Sequence, residues 1–304
     1  MQNENENEVL EQAIDTTSIL NGVFKKLPMV KYEKVINPLD YHKTMVKLRD
    51  FFIKNGYVET YTQGLRSILA ACEDPKTISS YTFNKVEYPM IQTGQMNLEL
   101  MLLMFKELEG IFCNTTSYRD EPNPIEGRHE KIFNMFEFEH IGNFQDLLQT
   151  GIKLVKYLGF EGYKMFTYQE LCDHYKVDIL EAEHETKMWE EFGDVVIITE
   201  FPTRTSPFFN MNYKGNGVYN KADFIICGIE TFGTAERSSD VEEMKRNFYS
   251  ISEGEYSQTL FNKFTKERVE EELNEYFKLK MKNRFGGGIG VSRLIRALKI
   301  KGLI

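Results

Sequence analysis

The 304-residue sequence predicts an α+β domain with largely antiparallel strand pairing. Two strand-like runs, Ile111–Tyr118 and Ile132–Ile141, flank a polar loop, DEPNPIEGRHEK, with two prolines and a glycine. Strands joined this way pair antiparallel. Further short strands separated by helical stretches follow, and a glycine run precedes a closing helix.

Residues 1 to 35 read as an acidic, flexible tail whose NENENE run is solvated. From Tyr41 to Asn55 the spacing of Met45, Leu48, Phe51 and Phe52 is helical, and Gly56 ends it. Tyr57–Tyr61 reads as a strand. Gln95–Leu108 is apolar nearly all round, as in a helix buried on several sides. In Ile132–Ile141, Phe136 and Phe138 alternate with Glu137 and Glu139, the period of a strand. Leu147–Leu158 and Tyr168–Tyr175 read as helices, and Val195–Thr199 and Ala222–Ile229 as buried strands. Val241–Tyr249 and Thr265–Lys282 are helical. The end, FGGGIGVSRLIRALKI, gives a glycine run, a short strand and a helix.

Composition excludes several classes. The chain is 41% hydrophobic and 27% charged, as in globular proteins. No stretch approaches the roughly 18 apolar residues of a membrane helix. The start, MQNENENEVL, lacks the basic and apolar regions of an export signal. Cys72, Cys113, Cys172 and Cys227 are far apart, which argues against zinc or a disulfide scaffold and implies a reducing cytoplasm. The net charge of −9 weighs against a dedicated nucleic-acid surface, which needs a basic excess.

Three clusters invite a chemical reading. Arg119, Arg128 and His129 around one loop suit a polyphosphate, because arginine pairs phosphate oxygens bidentately. A solvated loop with surface ion pairs fits the same composition. Gly286–Gly290 lets backbone approach phosphate or ring atoms, or simply marks a turn. Arg293, three residues on, raises its interest. Asp223 and Glu230 flank FIICGI and would hold Mg²⁺ near phosphates, provided that the chain bends at Gly228. As strand-edge acids they would only be solvated.

In order, these segments resemble the catalytic domain of class II aminoacyl-tRNA synthetases, most closely the aspartyl and asparaginyl subgroup, over residues 36–304. The resemblance implies an antiparallel sheet flanked by helices. The second family motif is matched by SYRDEPNPIEGRHEKIFNMFEFE and the third by GGGIGVSRL. By this resemblance Arg119 contacts the ATP α-phosphate, Glu121 the adenine amino group, and Arg128 and His129 the outer phosphates. Phe133 stacks on adenine and Arg293 lies over it. In DFIICGIETFGTAER, Asp223 and Glu230 match the metal ligands and Arg237 matches the reader of an aspartate or asparagine side chain. In TGQMNLE, Gln95 contacts the amino acid, and Leu98 stands where aspartyl enzymes carry lysine. Glu73 matches the residue that holds the substrate ammonium. EFPTRTSPFF resembles another active-site strand and loop. Two departures stand out: Ser292 replaces an acidic residue, and Gln63 replaces the proline of the first motif, the family's dimer contact in FFIKNGYVETYTQ.

The resemblance implies an adenylate-forming ligase that uses ATP and Mg²⁺, works as a homodimer and lies in the cytoplasm. Fewer than 45 residues precede the first motif, where the tRNA enzymes carry an anticodon-binding barrel. The expected reaction is therefore that of the related asparagine synthetases, with aspartate and ammonia as substrates and without tRNA. Rival readings are a stand-alone aspartate or asparagine ligase with another acceptor, a non-catalytic paralogue, and a truncated tRNA ligase.

Overall fold

The computed structural model describes residues 35–62, 66–68, 77–125 and 128–304. Most of the expected tail, Gln63 and Glu73 lie outside them.

The first helix, α1 (Pro38–Lys54), starts where Asn37 accepts the Leu39 N–H at 2.8 Å and Pro38 occupies the first turn, where it gives up no bond. Next come β1 (Tyr57–Glu59), a hairpin of β2 (Ser80–Phe83) and β3 (Val86–Pro89), and α2 (Gln95–Met104). The loop pair is β4 (Gly110–Tyr118) and β5 (Ile132–Ile141), antiparallel in register from Gly110↔His140 to Tyr118↔Ile132. Helix α3 (Phe144–Leu158) opens with an Asn143–Asp146 capping box. Then follow β6 (Lys164–Thr167), α4 (Tyr168–Tyr175), α5 (Ala182–Phe192), β7 (Val195–Pro202), β8 (Tyr213–Gly215), β9 (Val218–Ile226) and β10 (Ile229–Arg237). Helices α6 (Val241–Ser250), α7 (Glu255–Phe264) and α8 (Lys266–Phe277) lead to β11 (Arg284–Gly290) and α9 (Val291–Ile300).

Among the described residues nine strands form one sheet, in the order β1-β4-β5-β11-β10-β9-β7-β6, with β8 on β9. Its central pairs are antiparallel, and β1–β4 and β6–β7 are parallel. The α+β expectation holds.

Two elements differ from expectation. The stretch read as one strand, Ala222–Ile229, is a hairpin corner: Cys227 and Gly228 both take positive φ (48° and 79°), the conformation of a tight two-residue turn. An unbroken apolar run hides such a turn. The glycine run is itself the strand β11, hydrogen-bonded on both sides, rather than a segment before one.

Register decides what each sheet face carries. On the back, Phe112, Phe136, Phe138, Phe285, Ile289, Phe232 and Phe224 pack with residues of α1, α3 and α9 into the main apolar core. Because side chains alternate along a strand, the front presents Glu137 and Glu139, then Arg284, Gly286 and Gly288, then Gly233 and Arg237, then Lys221 and Asp223. A continuous polar row thus crosses the sheet, backed by a largely apolar layer.

Candidate active site

A cleft of about 290 Å³ opens over the middle of the front face. Arg119, Glu121, Arg128, His129, Phe133, Glu230 and Arg293 all line it, with Gly233, Gly288 and Gly290 among the other wall residues. Arg119 leaves the end of β4 with its guanidinium 5.2 Å from the centre of the Phe133 ring, which faces it from β5. The Arg119 Nε is buried without a hydrogen-bond partner, a donor left for a ligand. Arg293, in the first turn of α9, donates to the Glu230 carbonyl at 2.8 Å and to the Arg128 carbonyl at 3.2 Å. It thereby ties together three chain segments that are distant in sequence. Burial, then the charge of Arg293, pulls the His129 imidazole below its ordinary pKa.

Arg128 points away from the loop. It donates to Glu185 Oε2 on α5 at 2.6 Å, and the same oxygen accepts the Glu230 N–H at 2.7 Å. Burial and then the Glu230 charge push the Glu185 carboxyl up to about 7. Ser292, the departure from the family pattern, donates to Glu130 Oε2 at 3.0 Å. A carboxylate thus reaches this spot from the loop instead of from α9.

The hairpin at Cys227–Gly228 folds Glu230 back beside Asp223. A methyl group built on Gly233 would lie 2.8 Å from Glu230 Oε1 and 3.7 Å from Asp223 Oδ1, so both carboxylates crowd over one glycine. Burial pushes Asp223 up to about 7; the Lys221 ammonium opposes the rise and the Glu230 charge adds to it. Asp223 Oδ1 is buried with no partner. Two close carboxylates, one with an unsatisfied buried oxygen, fit a divalent cation that also meets phosphate oxygens. Among the described residues no group of three or more acidic, His or Cys side chains could hold a metal alone. Glu230 also lines a second cavity of about 330 Å³ with Asp223, Glu185, Lys221, Phe201 and Arg204.

Arg237 and Gln95 are not on the cleft wall. Arg237 is 2% exposed; its Nη2 donates to Glu139 at 2.6 Å, and its Nε lies 3.6 Å from Glu99. Glu99 also takes Arg284 Nη2 at 2.6 Å, the Tyr276 hydroxyl at 2.8 Å and the Asn210 amide at 2.6 Å. Gly286 leaves the room this network needs, since a Cβ there would fall 2.1 Å from the Glu139 carboxyl. Gln95 starts α2 one turn before Glu99, and its Oε1 is buried without a partner. Glu137 holds that helix start, accepting the Gly94 N–H at 2.8 Å and the Thr93 and Thr115 hydroxyls.

Sequence reasoning missed Glu185, Lys221, Glu99 and Arg284. Glu137 and Glu139 it read only as the polar beat of a strand. Acids that alternate with Phe opposite a glycine strand were the available signal for those two. Nothing local marks the others.

The chain matches the model of the class II tRNA synthetases (D, K and N) over residues 28–301, and it belongs to that family. Its described fold, with both aspartyl- and asparaginyl-tRNA synthetases among its structural neighbours, is that of the catalytic core. Asparaginyl-tRNA synthetase from Pyrococcus horikoshii, solved with asparaginyl-adenylate, superposes with a TM-score of 0.70 at 18% identity, over 85% of this chain and 64% of that one. The Entamoeba histolytica asparaginyl enzyme gives 0.65 at 17% identity, over 88% and 65%. The Entamoeba histolytica aspartyl-tRNA synthetase gives 0.63 at 17%, over 85% and 54%. This chain thus spans less than two thirds of the length of each. Comparison with curated proteins gives no match. No helix of the described residues is long and apolar enough to cross a membrane.

Proposed function

We propose that the protein joins aspartate to ATP as an acyl-adenylate, releasing pyrophosphate, and passes the acyl group to ammonia to give asparagine and AMP. The observation that carries the first half is the convergence of Arg119, Phe133, Arg293 and Glu230 on one cleft from four separate strands, loops and helices. Phe133 and Arg293 clamp the adenine, with Glu121 at its amino group. Arg119 donates to the α-phosphate as charge grows there, and Arg128 and His129 reach the outer phosphates. Asp223 and Glu230 hold Mg²⁺, which when bound offsets phosphate charge. No base is needed, because the attacking carboxylate is already ionised at neutral pH. The protein's work is to align the two reactants. By the family resemblance Gln95 and Arg237 are assigned to the amino acid, with Glu73 for the substrate ammonium. Aspartate has a carboxylate at either end, so Arg237 can hold one while the other meets phosphorus.

The net charge of −9 supports a small acceptor over tRNA. A homodimer is supported by Leu39, Val46 and Ile53 on α1, seven residues apart and 68%, 50% and 57% exposed, with Val58 and Tyr61 exposed as well. One observation favours a second reading, activation of asparagine for another acceptor. Arg237 is already neutralised by Glu139 and Glu99, and a neutral amide meets that pair without adding a buried charge.

The test is incubation with ATP, Mg²⁺ and either amino acid, with and without ammonium, measuring AMP and asparagine. Ammonium-dependent asparagine from aspartate is the expected outcome. Pyrophosphate exchange with asparagine alone would transfer the assignment to the second reading.

A further inference from the structure

The proposed metal site already contains a cation of the protein's own. Lys221 stands two residues before Asp223 on β9, so both side chains rise from the front face. Its ammonium donates to Asp223 Oδ2 at 2.7 Å and lies 4.1 Å from the centre of the Phe201 ring. The pair is sheltered: the Lys221 side chain is 23% exposed and that of Asp223 7%. Asp223 is therefore divided, with Oδ2 on lysine and Oδ1 buried and without a partner.

A divalent ion at Oδ1 would share one carboxylate with the ammonium. Two positive charges that close, shielded from water, repel strongly, and the lysine also draws off much of the charge Asp223 can offer. Glu230 alone adds a single carboxylate. Mg²⁺ sheds its water reluctantly, and one and a half carboxylates against a fixed cation is a poor site for it. Nucleotide phosphates would change this balance by bringing several further negative oxygens.

We propose that Lys221 is a resident counter-ion that competes with the divalent metal for Asp223, so that the protein takes up its metal with the nucleotide rather than before it. This rests on the reading of Asp223 and Glu230 as the metal ligands. The ring of Phe201 keeps a favourable seat for the ammonium when Asp223 turns to the metal. In this role Lys221 is a positioning residue, acting through Asp223.

The test measures Mn²⁺ binding to the full chain without nucleotide, from the paramagnetic resonance signal of free Mn²⁺. The native chain is expected to bind weakly. Lys221→Gln should tighten binding about tenfold, the scale of removing one nearby charge from a sheltered site. Lys221→Arg, which keeps the charge, should bind as the native chain does. With a non-hydrolysable ATP analogue present the native and K221Q affinities should converge. Glu230→Gln should weaken binding in either background. An unchanged or weaker K221Q affinity, with Glu230→Gln still weakening it, would overturn the proposal and leave the metal pair standing. Equal Mn²⁺ binding in native and Glu230→Gln chains would overturn the metal pair itself. Melting curves with and without Mn²⁺ confirm that each variant is folded and provide a second readout of metal uptake.

Discussion

The two halves of the front face treat charge in opposite ways. Around the cleft, Arg119 has a buried donor without a partner, and Asp223 and Glu230 crowd each other over Gly233. At the other end Arg237, Arg284, Glu99 and Glu139 form a nearly closed set, two positive and two negative, buried to 2% exposure or less. The first half is built for charge that arrives with a ligand. The second largely answers its own charge and holds α2, β5, β10 and β11 in place, and of its four members only Arg237 is also proposed to meet the substrate. Residues of one sheet face can thus differ in whether their loss is felt as activity or as stability.

The largest effect is expected in the closed half. Arg284→Met leaves Glu99 buried without its main partner and should destabilise the chain by about 3–5 kcal/mol, the usual cost of breaking a buried pair. Urea denaturation would measure it; a loss under 1 kcal/mol would show that the network is not structural. Arg119→Ala should do the reverse, with a melting temperature close to native and an ATP–pyrophosphate exchange rate lower by about 10²–10³. Full activity in that variant would defeat the assignment of the cleft.

A smaller effect should appear with pH. Asp223 and Glu185 have folded-state pKa values raised to about 7, so the folded chain binds their protons more tightly than the unfolded chain. Their contribution to stability is therefore fully favourable below about pH 4 and is lost as pH rises through 7. Asp223→Asn should remove part of that decline and raise ligand-free stability at pH 8 by roughly 1–3 kcal/mol. Melts from pH 5 to 8 would show it as a flatter profile. The smallest effect concerns Arg128. Glu185→Gln keeps an acceptor for the Glu230 N–H and removes the competing carboxylate. ATP affinity should then tighten about threefold, within the range of a partly exposed ion pair. Weaker binding in calorimetry would mean that Glu185 positions Arg128 for the phosphates instead of withholding it.

The contrast between the halves also explains how much could be read from the chain. Arg119, Phe133, Asp223, Glu230 and Arg293 lie in segments that match the family's ordered motifs, and that resemblance, not local spacing, marked them. The strand Ile132–Ile141 was legible to the residue from its alternation, and the helix Tyr168–Tyr175 was read with its observed bounds. Glu99 in an apolar helix and Arg284 before a glycine run carry no such mark. The registers Gly286↔Glu139 and Arg237↔Arg284 assemble the sheet side of the network, and the packing of α2 on β5 brings Glu99 to it; both are tertiary properties that no local pattern marks. Lys221 and Glu185 were hidden for the same reason, since a lone lysine or glutamate reads as surface until its neighbours are known.

The most direct test of the central claim uses aspartate labelled with ¹⁸O in its carboxylates, incubated with ATP, Mg²⁺ and ammonium. Attack of a carboxylate on the α-phosphorus, followed by transfer, should move one label into AMP and leave pyrophosphate unlabelled. AMP without label, or ADP and phosphate as products, would contradict the account.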